Sequence, residues 1–129
     1  MGEKYMWGEF EFNPPYTGED ITDINGVKLP QNYIDFMKEH NGGEGDIGET
    51  WLVLYPIEKL QEINDDSEIS EDLSDHIIIG DNGSEELYGI TPDGKYFNVP
   101  TLFDEDDITI LCDDMKDFAD KVNEFWANL

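Results

Sequence analysis

Positive charge is scarce in this chain. Seven Lys and Arg stand against 32 Asp and Glu, a formal net charge of −25. So few cations exclude nucleic acid and anionic membrane as partners, because both would be repelled. Cysteine is scarcer still. Cys112 is the only one, which excludes an intramolecular disulfide and points to a reducing compartment. At the end of the apolar run "ITIL" it reads as a small buried hydrophobic residue. The two histidines leave little material for acid–base work: His40 falls on an apolar helical face and His76 at a strand edge, so both read as structural. Long apolar runs are missing, and nothing approaches the ~18 residues that would span a bilayer. The opening "MGEKYMWGEF" lacks an apolar stretch of signal-peptide length, and Met6 stands where a myristoylation signal wants Ser or Thr. A cytoplasmic protein is expected. No GxSxG, HExxH or Walker-type phosphate loop occurs, so neither an enzyme nor a cofactor is expected.

What is present suits one α+β domain over residues 1–129. Hydrophobic residues make up 38% and aromatics 12%, enough for a core and unlike a disordered acidic tail. "NPPYTGED" (13–20) is stiffened by two prolines, after which Thr17 is placed to cap a short helical turn through Ile21 and Ile24. After Leu29-Pro30, the residues Tyr33, Phe36, Met37 and His40 recur at i, i+3, i+4 and i+7, one buried helical face. Asn41-Gly42 supplies the stop. "TWLVLYP" (50–56) reads as a central strand, and Pro56 opens a helix with Ile57, Leu60 and Ile63 inward. "HIIIG" (76–80), "ELYGI" (86–90) and "KYFNV" (95–99), separated by turn residues, predict an antiparallel meander, with "DITIL" (107–111) as a further strand. From the capping residue Asp114, the residues Met115, Phe118, Ala119, Val122, Phe125, Trp126 and Leu129 keep helical spacing. The expected fold is a meandering antiparallel sheet with helices packed on it, a C-terminal helix among them.

The acids cluster. Glu44, Asp46 and Glu49 are threaded between Gly42, Gly43, Gly45 and Gly48, which read as a loop after the helix. Asp65, Asp66 and Glu68 open a second acidic segment (64–75), read as a surface loop or frayed helix end. Asp104, Glu105, Asp106 and Asp107 form a third. Hard oxygen ligands of this kind suit calcium, yet none of the segments has the EF-hand spacing, and no metal site is assigned. Carboxylates held outward beside aromatic anchors suit a basic protein better. Trp7, Trp51, Tyr55, Tyr88 and Tyr96 are the candidate anchors, each with core packing as its alternative, while Trp126 reads as core. Solubility alone is the competing reading of the charge.

"NPP", then "LPQNYIDFMKEHNGGEG" carrying Leu29, Pro30, Tyr33, Phe36, Asn41, Gly42 and Gly43, then "WLVLYPIEKL", resemble the SUKH superfamily. "IIIGDNGSEELYGI" and "CDDMKDFADKV" continue the likeness, which runs from about residue 11 to about residue 126. The family takes in fungal regulators of cell-wall synthesis and bacterial immunity proteins that neutralise a cognate toxin, often a nuclease. The resemblance therefore implies an α+β fold, no catalytic role and a protein partner. For this chain that means an immunity protein for a basic toxin, with an adaptor for an endogenous partner as the alternative and a calcium-binding protein behind both. One departure stands out: the first helix, longer in relatives, is shortened here to "YTGEDITDINGVK".

Overall fold

The computed structural model describes residues 9–24, 26–66, 76–83, 86–100 and 108–128. Within them a seven-stranded sheet has the order β1-β4-β5-β6-β7-β8-β9, every neighbouring pair antiparallel. Its strands are β1 (Glu11–Phe12), β4 (Gly43–Asp46), β5 (Trp51–Leu54), β6 (Ile77–Asp81), β7 (Glu86–Ile90), β8 (Tyr96–Pro100) and β9 (Thr109–Cys112). Strands β5 to β9 follow one another in chain order, so most of the sheet is the expected meander. The helices are α1 (Gln31–Glu39), α2 (Leu60–Asp66) and α3 (Phe118–Ala127), the last two each preceded by a 3₁₀ turn.

One sheet face carries the main core. Tyr33, Ile34 and Met37 from α1 and Met115, Phe118 and Val122 from the C-terminal segment pack against Leu52, Leu54, Ile77, Ile79, Tyr88, Ile90 and Tyr96. Burial on this scale is the dominant favourable term in folding. A smaller cluster of Ile78, Phe97 and Val99 is packed by Tyr55, Leu87 and Ile108. Trp126 is half-buried against the main core and donates its indole N–H to Tyr88 Oη at 3.0 Å. Asp114 caps the last helical segment as expected, its carboxylate accepting from the Lys116 amide at 3.0 Å.

Three sequence expectations are corrected. The turn through Ile21 and Ile24 is a two-stranded hairpin, β2 (Asp23–Ile24) with β3 (Val27–Lys28), turned at Gly26 with φ +82°. Of the two readings of the segment from residue 64, a surface loop or a frayed helix end, residues 64–66 form the end of α2, but Asn64 is not at the surface. Asn64 is buried in α2, and its amide bonds the Leu60 carbonyl and both backbone groups of Ile78, clamping α2 to β6. Most important, the glycine-rich segment is itself a strand: Gly43–Asp46 forms β4, between β1 and β5.

Candidate functional site

The glycines of β4 explain its placement. Gly43 (φ +146°) and Gly45 (φ +155°) face inward and are buried, whereas Glu44 and Asp46 alternate outward. A Cβ on Gly43 would stand 2.2 Å from the Glu11 carbonyl oxygen, and one on Gly45 2.8 Å from the Phe10 Cα. Only glycine lets β1 lie this close, and no side chain is tolerated at these angles without strain. Their role is to admit the edge strand, and the acids between them are thereby fixed on the opposite face.

That outward face is built in register. Glu11 of β1 stands opposite Glu44 of β4, which stands opposite Val53 of β5, which stands opposite Asp81 of β6. Asp46 stands opposite Trp51, and Glu9 donates its amide to the Asp46 carbonyl at 2.8 Å. Trp51 is 46% exposed, unusual for so large an apolar ring. Its Cδ1 edge rests against Gly83, where a Cβ would come within 3.2 Å. Glu11, Phe12, Glu44, Trp51, Val53 and Tyr55 line an open groove of about 490 Å³. Tyr55 donates its hydroxyl to Asp81 Oδ2 at 2.5 Å, and Asp81 Oδ1 accepts from the Gly83 amide at 2.7 Å. Burial, reinforced by Asp81, holds the Tyr55 phenol well above its ordinary range, so it stays a neutral donor.

The groove's ends are pinned. Asn41, buried, accepts the Ile57 amide at 2.8 Å and donates to Glu58 at 2.6 Å, while its carbonyl accepts from the Asn13 side chain at 3.0 Å. One asparagine thus joins the proline-rich start, the end of α1 and the start of the segment leading to α2. At the other end Asn123 of α3 donates to the Ile47 carbonyl at 2.7 Å and accepts the Glu49 amide at 2.9 Å, holding the β4–β5 turn.

The candidate acids fall in different places. Glu44 and Asp46 lie on the groove face, and Glu49 is exposed in the turn beside it. Asp65 is exposed on α2 and accepts from Gln61 at 3.0 Å; Asp66 closes that helix. Glu68, Asp104, Glu105, Asp106 and Asp107 lie outside the described residues, as does Trp7. Of the candidate aromatics, Trp51 and Tyr55 reach the outward face, whereas Tyr88 and Tyr96 are core. Glu9 and Glu11 were not singled out from sequence, although the alternation "EFEF" (9–12) carries the two-residue period of a strand with acids on one face. His40 stacks on Phe12, ring centroids 4.3 Å apart, and His76 meets Phe97 edge-on at 5.4 Å. Among the described residues no three His, Cys, Asp or Glu side chains gather closely enough to hold a metal ion, and no helix is long and apolar enough to cross a membrane.

The model of the SMI1 / KNR4 family (SUKH-1) matches residues 17–121. The chain belongs to that family. The matched span runs from before the β2–β3 hairpin into α3 and includes Asn41, the β4 glycines, Trp51 and Tyr55. The SUKH-1 match leaves out β1, so Glu9 and Glu11 are features of this chain lying beside the family span. No curated protein matches the chain.

Proposed function

We propose that this SUKH-1 protein is a non-catalytic immunity protein that binds and neutralises a cognate basic toxin, a nuclease being the class that fits best. A nuclease must attract phosphates with a cationic surface, and an acidic protein occupies that surface by presenting carboxylates in their place. The observation that carries the reading is the outward face of β4 and its neighbours, where Glu11, Glu44 and Asp46 share a face with an exposed tryptophan on a chain of net charge −25. Family membership supports a protein partner. Glu49 and Asp65 are further exposed acids, and the sequence adds Asp66, Glu68 and Asp104 to Asp107 to the negative charge that would attract such a partner. Long-range attraction would raise the association rate toward roughly 10⁸–10⁹ M⁻¹s⁻¹ at low salt. The site of action is the cytoplasm.

Co-expression with the toxin domain encoded by the neighbouring gene tests this. The toxin alone should arrest growth, the pair should grow, and the double variant Glu44→Lys, Asp46→Lys should protect less. Toxicity unchanged by the intact chain rejects the immunity reading. A neighbouring gene that encodes no toxin favours an adaptor for an endogenous partner.

A further inference from the structure

From the register of the groove we infer that it is an arginine-binding slot: a guanidinium from a basic partner stacks on Trp51 while Glu44 and Glu11 take its N–H groups. This rests on the reading that the chain binds a basic protein, and names the chemistry of the contact. Two observations lead there. Glu11 and Glu44 are directly opposite each other on neighbouring strands, a like-charge pair that destabilises a sheet. Neither pairs with a cation among the described residues, where the ion pairs are Lys38–Asp20 at 3.0 Å and Lys121–Glu124 at 3.5 Å. One strand further on, Trp51 is exposed in a protein that buries Tyr33, Tyr88, Tyr96 and Phe97 almost completely.

Each feature alone is unfavourable for the isolated chain, and together they make a complementary set. Two carboxylates on directly opposite residues can share the several N–H donors of a guanidinium, and an indole face attracts a delocalised, weakly hydrated cation. Lysine, a compact and strongly hydrated charge, would engage the carboxylates and gain less from the ring. Val53, between the charged row and Asp81, offers apolar contact for the arginine stem. Tyr55 and Asp81 close the groove toward β6, and their mutual hydrogen bond keeps that wall fixed.

The test uses the full chain, ¹⁵N-labelled, titrated with a tri-arginine peptide and separately with tri-lysine at about 150 mM salt. The Trp51 indole N–H and the Glu44 and Val53 amides should shift saturably, with tri-arginine bound about threefold more tightly than tri-lysine. Trp51→Ala should weaken tri-arginine about fivefold and erase the preference, while Trp51→Phe keeps part of both. Glu44→Gln should raise the melting temperature, by relieving the opposed pair, and at the same time weaken tri-arginine. A merely structural carboxylate would not move the two in opposite directions. Equal affinity for both peptides overturns the slot, as does an unmoved Trp51 signal or full binding by a folded Trp51→Ala. Peptide binding that survives a failed co-expression assay rejects the immunity reading and leaves the slot standing; the reverse result rejects the slot alone.

Discussion

At the scale of single residues, the fold depends on a few positions whose chemistry cannot be exchanged. Gly43 and Gly26 offer a controlled contrast, since both have positive φ. A Cβ on Gly26 meets nothing within 4 Å, so Gly26→Ala should cost about 1 kcal/mol, the conformational term alone. Gly43→Ala adds a clash with the Glu11 backbone and should cost about 3 kcal/mol, with β1 detached from β4. Urea denaturation of the two variants measures the difference, and equal costs would refute the account of β4. Asn41→Ala orphans the Ile57 amide and breaks the Glu58 contact, for a loss of about 2 kcal/mol in the same assay. Cys112, read from sequence as a small buried residue, is half-buried, and burial pushes its thiol up to about 11, past the opposing effect of a backbone hydrogen bond from Asp114. The thiolate is the reactive form, so alkylation by iodoacetamide at pH 8 should run about a hundredfold slower than for a free thiol and accelerate only as pH approaches that value. A rate like that of free cysteine contradicts the buried environment.

At the scale of elements, legibility followed periodicity. Helix α1, the β6–β7–β8 meander and α3 each carry a long enough apolar repeat to be read directly. Even so, Phe36 and His40 form the half-buried aromatic border with Phe12 that closes the α1 side of β1. Pro30 caps α1 from outside, its carbonyl accepting the Tyr33 and Ile34 amides. The failures have one physical cause. Strand β4 contains no apolar residue, and the hairpin strands β2 and β3 have two residues each, so period-2 alternation had nothing to register. Glycine normally punctuates strands; here it is selected by the approach of a neighbouring backbone, a tertiary fact invisible along the chain. Asn64 escaped notice for a related reason, since a buried polar residue in a helix becomes intelligible only when its partner strand is known. Its clamp can be measured: Asn64→Ala should cost about 2–3 kcal/mol and selectively lower hydrogen-exchange protection at Ile78. Unchanged protection there would mean that α2 is held to β6 by packing alone. The candidate site was half legible: Glu44, Asp46, Trp51 and Tyr55 were singled out, but their convergence with Glu9 and Glu11 required strand order.

At the scale of the whole molecule, charge is the governing quantity. With 32 acids against 7 bases, self-repulsion opposes compaction, and salt screens it beyond roughly 8 Å at physiological strength and roughly 3 Å at 1 M. The melting temperature should therefore rise gradually with sodium chloride. Calcium should act the same way, whereas saturable stabilisation at low calcium would reveal a specific site. Such a repulsive surface is tolerable because a compact core offsets it, and useful when a cationic protein is the partner. The most direct test is calorimetric titration of the chain with the purified toxin domain of its neighbouring gene, at two ionic strengths. The account predicts one-to-one binding at physiological salt, weakened by added salt and by Glu44→Gln. Absence of binding at both ionic strengths, or binding indifferent to salt and to that substitution, would contradict it.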